Sequence, residues 1–236
     1  GPLASFYGYQ WDGVYHYDDF SVVDGKYVLR SNVATNGTER STIKPGDVKY
    51  VDQNGDYVVD DRDMVIIGRC MPIHTGGFNN NFTYKNLSLN VFFQWSYGND
   101  IMNANRIFFD GNSSGQNVNQ FRTYKDRWTP ENPDSNIPSV TGQGPAGIYS
   151  SRTIEDGSFL RLKTLQLSYT LPKKIVRKIR LNDIQVFVSG QNLWTWTGYS
   201  GQDPTINTLN NARTPGYDYS AYPIPKTFIF GIQATF

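Results

Sequence analysis

The residues best spaced for chemistry lie between Asp52 and Asp63: Asp52, Asn54, Asp56, Val58, Asp60 and Asp63. Counted from Asp52, side-chain oxygens stand at positions 1, 3, 5, 9 and 12, and the backbone carbonyl of Val58 falls at position 7. That is the order in which a calcium loop wraps one hard cation, with carboxylates neutralising its charge. Ca²⁺ is therefore the cofactor this stretch predicts. Two residues depart from the pattern. Position 6 is Tyr57, where the sharp turn takes Gly, and position 12 is Asp63, shorter than the usual Glu. The same residues also read as an acidic surface turn built from Asx hydrogen bonds. Both readings stand at this level.

No other cluster supports catalysis, and no enzyme is expected. Glu155-Asp156-Gly157 reads as a turn entering a strand, because paired carboxylates need an opposed cleft to hydrolyse a glycoside. His16 and His74 stand apart from any Ser or Cys nucleophile pattern. There is no Gly-rich phosphate loop. The one cysteine, Cys70, rules out a disulfide within the chain and a Cys-built zinc site. A formal net charge of +1 over 236 residues argues against a nucleic-acid binder.

The elements that must position these residues are strands. Helical signals are nearly absent; the best is Lys173 to Arg180, short and basic. No run approaches the ~20 apolar residues of a membrane helix, so a membrane-crossing chain of this kind must cross as a barrel. Period-2 alternation recurs over Gly76–Tyr84, Leu87–Tyr97, Thr164–Leu171, Ile184–Ser189 and Thr227–Phe236. In Leu87–Tyr97, for example, Leu87, Leu89, Val91, Phe93, Trp95 and Tyr97 share one face. The opposite faces collect Asn, Gln, Ser and Thr rather than the Lys and Glu of a water-facing sheet. Aromatics stand near strand ends at Tyr84, Trp95, Tyr97, Tyr169, Trp194 and Trp196, as an interfacial girdle requires.

Connection lengths alternate. Lys85-Asn86 is tight, 98–157 long, 172–182 short and basic, and 198–225 long again. Tight turns on one side and large loops on the other are the pattern of an outer-membrane barrel. The expected fold class is thus an all-β, transmembrane antiparallel barrel. Residues 1–75 are expected to form an extracellular loop region carrying the calcium loop 52–63. Residues 76–236 are expected to form the barrel strands and their loops. About eight strands is the minimum for closure, so five strands need a longer polypeptide or an assembly partner. Gly1-Pro2-Leu3-Ala4-Ser5 lacks signal-peptide features and reads as an internal start.

The long connections carry Phe108, Phe109, Tyr124, Trp128, Tyr149, Tyr199, Tyr217, Tyr219 and Tyr222. Such rings stack on sugar faces, cover a partner surface, or pack among themselves. The basic turn Lys173, Lys174, Arg177, Lys178 and Arg180 either contacts anionic headgroups or is simply solvated. On the last strand Phe228, Phe230, Ile232, Ala234 and Phe236 are expected to face lipid, opposite Thr227, Gln233 and Thr235. Phe230 and Phe236 carry the expected barrel-assembly signal, an aromatic end on an alternating strand.

Several ordered blocks carry a family resemblance. They include Ser5-Phe6-Tyr7-Gly8-Tyr9-Gln10-Trp11-Asp12-Gly13, Gly46-Asp47-Val48-Lys49-Tyr50-Val51-Asp52, and Phe93-Gln94-Trp95-Ser96-Tyr97-Gly98-Asn99-Asp100. Further blocks are Arg127-Trp128-Thr129-Pro130, Asp156-Gly157-Ser158-Phe159-Leu160-Arg161-Leu162-Lys163, Ser189-Gly190-Gln191-Asn192-Leu193 and Tyr222-Pro223-Ile224-Pro225-Lys226. Together they resemble the carboxy-terminal quarter of SusC/RagA-like TonB-dependent transporters of Bacteroidota outer membranes. The resemblance implies a 22-stranded barrel with a plug, of which this chain supplies the last five strands plus long extracellular loops. It implies a SusD-like surface lipoprotein as lid, contact with the TonB complex through the amino-terminal part, and a lipid bilayer around the barrel. Oligosaccharides or oligopeptides would be the cargo. The competing readings are a passive or structural outer-membrane barrel and a secreted calcium-dependent β-sandwich lectin.

Overall fold

The computed structural model describes residues 4–110, 119–142, 144, 149–209 and 215–236; the Gly1-Pro2-Leu3 start lies outside them. The described residues pack as two compact units. One draws on Gly1–Met71, Asp100–Glu155 and Ile206–Ala221, the other on Pro72–Asn99, Asp156–Thr205 and Tyr222–Phe236. Most of the two long connections, Asp100–Glu155 and Ile206–Ala221, thus packs with the amino-terminal region, and the units interleave along the chain.

The second unit is an antiparallel sheet of five strands: His74–Tyr84, Leu87–Tyr97, Phe159–Thr170, Asp183–Thr197 and Thr227–Thr235. Their order in the sheet follows their order in the chain, an up-and-down meander. Two strands extend well beyond the uninterrupted alternation. The third begins at Phe159 rather than Thr164, and the fourth runs to Thr197 rather than Ser189. The cause is an irregularity in pairing: Leu162 faces Trp194, but Thr164 faces Gln191. There the fourth strand holds the extra residue, at Asn192–Leu193. Against the second strand, where Leu162 faces Phe93 and Thr164 faces Phe92, the extra residue is Lys163, and it resets the two-residue period of the third strand, as a β-bulge does. Asn192 across from it takes the left-handed conformation, φ 53°, which Asn tolerates better than most residues. Leu160 and Leu162 before the bulge thus share a face with Leu165, Leu167 and Tyr169 after it.

Register makes the two faces explicit. One row across the sheet runs Phe82, Leu89, Leu167, Val188, Phe230. The next row, on the other face, runs Asn81, Asn90, Gln166, Ser189, Ile229. Asn90 donates to the side-chain oxygens of both Asn79 and Asn81, at 2.9 and 2.6 Å, so on the first two strands the polar face carries an amide ladder. The apolar face has no cover: Phe230 is 79% exposed and Ile232 75%. An exposed apolar surface this continuous marks a face built for something other than water. The strands His74–Tyr84 and Thr227–Thr235 each have a neighbour on one side only, so the barrel is not closed within this chain. No helix is long and apolar enough to cross a membrane among the described residues.

The first unit is made of short pairs. Ser5–Gly8 pairs with Val65–Arg69, Trp11–Val14 with Val48–Tyr50, and Phe20–Val23 with Lys26–Leu29, all antiparallel. Tyr217–Asp218 lies parallel to Asp100–Asn103. Two small cores hold it: Tyr9, Val48, Tyr50 and Val59, and Tyr15, Phe20, Leu29 and Ile43. Burial pushes the Tyr50 phenol from its ordinary 10.0 up to about 12 and raises that of Tyr15 as well. The folded chain keeps these protons where the unfolded chain loses them. The associated stability is therefore complete below about pH 10 and is lost as pH rises through about 12. In an alkaline titration read by phenolate absorbance, Tyr50 is expected to ionise late, together with loss of near-ultraviolet circular dichroism. Ionisation of all phenols near their ordinary value with that signal intact would contradict this burial.

Candidate functional site

The Asp52–Asp63 loop is closed by its own backbone. Asp52 accepts from the N–H groups of Gly55 (2.7 Å) and Tyr57 (2.8 Å). Asn54 accepts from Asp56 at 2.8 Å, and Asp56 from Val58 at 2.9 Å. Buried Asp63 accepts from Gln53 and Asp60, at 2.9 and 2.8 Å. Tyr57 takes φ 63°, the left-handed turn that sequence position 6 of such a loop demands. The guanidinium of Arg62 lies 2.8 Å from Asp60 and 3.0 Å from Asp56. Its hydrogen bonds hold the Asp60 carboxyl below the usual carboxylate range. Among the described residues no three acidic, His or Cys side chains gather as a metal-holding group. A cation entering this loop has to displace Arg62.

The loop aromatics divide by burial. Tyr124, Trp128 and Tyr199 are in the interior. Trp128 lies against Tyr17, ring centroids 5.6 Å apart, and over Gly46, where a Cβ would stand 2.4 Å from the indole. Phe109 packs edge-on against Phe121. Tyr217 is half-buried in its short strand. Phe108, Tyr149, Tyr219 and Tyr222 remain exposed, and Phe108 and Tyr219 form a ring pair at 5.2 Å. Phe121, in the same connection as Phe108, is exposed as well.

Sequence reasoning missed two ionic clusters. In the first unit, fully buried Asp110 accepts from Arg106 at 3.0 Å and from the Thr123 hydroxyl at 2.7 Å. Arg152 donates 2.8 Å to the Asp110 carbonyl, and Arg106 also reaches Glu155 at 3.3 Å. In the sheet unit, Arg161 is 2% exposed and donates to both carboxylate oxygens of Asp203 at 2.8 Å. Arg161 also donates 2.9 Å to Thr195 and lies over the Phe159 ring, while Asp203 accepts from the Thr205 N–H at 2.8 Å. This pin ties the start of a long connection to the polar-face end of the third strand. Apart from the i,i+4 pair Arg106–Asp110, local spacing could not announce these clusters, because the other partners lie up to 49 residues apart.

At the long-loop end of the sheet, His74, Trp95, Tyr97, Asp156, Leu160 and Trp196 line a cavity of about 580 Å³. The Trp95 indole donates to His74 Nδ1 at 3.1 Å, and His74 stacks on Tyr97 at 5.2 Å. Trp95, Leu160 and Trp196 stand in one row on the apolar face. That is where an aromatic girdle belongs. Phe236 is likewise exposed.

A meander with one uncovered apolar face, one amide-rich face, tight turns at one end and long connections at the other is a section of an outer-membrane β-barrel wall. No protein-family profile matches the chain. It is 33% identical over 99% of its length to TonB-dependent receptor P3 of Formosa agariphila. To TonB-dependent receptor P26 of the same organism it is 36% identical over 81% of its length. TonB-dependent receptor SusC of Bacteroides thetaiotaomicron is 24% identical over 82% of this chain. The chain spans about a fifth of these relatives: 22%, 20% and 18%. Among solved structures it matches the RagAB peptide transporter with TM-score 0.69 and 26% identity, covering 98% of this chain and 22% of that one. The RagAB peptide importer in its closed-closed state gives TM-score 0.71 at 25% identity, over 98% of this chain and 23% of that one. The chain belongs to the SusC/RagA-like TonB-dependent receptors.

Proposed function

We propose that this chain is a wall-and-loop section of a TonB-dependent outer-membrane transporter. The whole receptor would import oligosaccharides or oligopeptides under a SusD-like lipoprotein lid. The observation that carries the reading is the two-faced sheet, whose uncovered apolar face suits lipid and whose amide ladder suits a polar lumen or plug. The chain's part is structural: it supplies barrel wall, and its exposed loop aromatics Phe108, Tyr149, Tyr219 and Tyr222 supply contact surface for cargo or lid. Import is driven by lid closure over cargo and then by plug displacement powered from the inner membrane. Exposed Phe230 and Phe236 serve barrel assembly as well as lipid contact. The test is uptake of labelled oligosaccharide and oligopeptide pools by cells carrying the full-length receptor, with and without a functional TonB complex. TonB-dependent uptake of one pool is the expected result. Uptake unchanged by loss of TonB supports a passive barrel and overturns the transporter reading.

Calcium at the Asp52–Asp63 loop is proposed as a structural clamp, supported by the spacing of its oxygens and the left-handed turn at Tyr57. Arg62 is its competitor. Calorimetry of the full-length receptor is expected to show calcium-dependent heat that grows in Arg62→Ala. No heat in either protein would sink the proposal.

A further inference from the structure

We propose that the basic turn between the third and fourth strands is a docking surface for anionic phospholipid headgroups, an inference that rests on the membrane-barrel reading above. The turn folds as one α-helical turn, Lys173–Val176, and one 3₁₀ turn, Arg177–Ile179, stopped by Arg180 at φ 60°. Val176 is fully buried and anchors it, and the Leu181 N–H donates to the Val176 carbonyl at 3.3 Å. The other two branched residues point away from the protein: Ile175 is 53% exposed and Ile179 57%.

Around them Lys173, Lys174, Arg177, Lys178 and Arg180 are all exposed. Among the described residues none of the five forms an ion pair. No acidic residue occurs between Thr164 and Asn182. The neighbouring tight turn adds Lys85 and lies at the same end of the sheet, since Asn86 Nδ2 donates to the Thr170 carbonyl at 2.7 Å.

The surface is continuous with the apolar face. Tyr84, Leu87 and Tyr169 stand exposed on the strand ends beside these turns. A merely solvated turn has no reason to present two isoleucines outward between unpaired cations. A leaflet boundary does: the isoleucines enter the acyl edge and the cations meet phosphodiesters, as polybasic segments do at anionic membranes. The occupant is therefore an anionic glycerophospholipid of the leaflet on the short-turn side.

The experiment uses the full-length receptor in neutral detergent with equal phosphatidylglycerol and phosphatidylethanolamine, and counts retained lipids by native mass spectrometry. The expected result is a preference for phosphatidylglycerol of about fivefold or more, the attraction of roughly one near-surface cation. Inorganic phosphate at millimolar concentration should leave that preference unchanged. The variant with Lys173, Lys174, Arg177, Lys178 and Arg180 all changed to Gln should lose the preference. Ile175→Ser with Ile179→Ser should retain less of either lipid. Lipid retained without headgroup preference in the unaltered receptor overturns this inference alone, and needs no variant to fold. Preference surviving in the five-Gln variant, or abolished by inorganic phosphate, also overturns it. Failure to retain either lipid overturns the barrel reading with it.

Discussion

Asp203→Ala is expected to cost about 3–5 kcal/mol of stability, the range for breaking a buried ion pair by removing one partner. Arg161 is 2% exposed, so its guanidinium loses both carboxylate bonds without gaining water. The Thr195 hydroxyl and the Phe159 ring remain, and neither neutralises a charge. Thr205 loses its acceptor as well. Arg161→Met combined with Asp203→Leu should recover most of the loss, because the desolvation cost disappears with both charges. Urea unfolding of the full-length barrel checks this. Equal stability of Asp203→Ala and the native protein would show that the pin carries no load. The exposed pair Arg62–Asp60 has equally short contacts yet should matter little, because water and salt already screen it.

The second large effect is a charge on the apolar face. Leu167→Arg is expected to cost about 2–4 kcal/mol, the range for Arg near the midplane on the lipid side of a barrel. Leu167 is 41% exposed although strands flank it on both sides, so a longer side chain meets surroundings rather than protein. Gln166→Arg, the next residue on the opposite face, should cost clearly less, since it joins Asn81, Asn90 and Ser189. Refolding into bilayers of fixed thickness, followed by denaturant titration, measures both. Equal costs at the two positions would remove the distinction between the faces.

These outcomes also mark how far the sequence could be read. The five strands and their two faces were legible because residues two apart share a face, and a buried or lipid-covered face selects strongly for that period. The ends of the third and fourth strands were not, because Lys163 and Asn192 break the count while the hydrogen-bonded sheet continues. The loop aromatics were legible as types but not as locations. A Trp that stacks on a sugar and a Trp that stacks on Tyr17 look alike in sequence, and Trp128 does the latter. Arg161 and Asp203 gave no signal at all, because each is buried through a partner 42 residues away, and the i,i+4 spacing of Arg106 and Asp110 did not reveal the distant Arg152 that also holds Asp110. The acidic loop fell between these cases. Its oxygen spacing was visible, but Arg62, the cation that occupies its carboxylates, was not part of the spacing rule.

In a barrel wall of this kind the Leu-rich face meets lipid. Spin labels placed singly from Leu165 to Tyr169 in the full-length receptor, reconstituted in bilayers, test it most directly. Oxygen, which concentrates in the acyl region, should reach labels at 165, 167 and 169, and a water-soluble nickel chelate should not. Labels at 166 and 168 should show the weaker oxygen contact. Nickel access at Leu165, Leu167 and Tyr169, or no alternation along the five positions, would contradict a membrane-spanning wall.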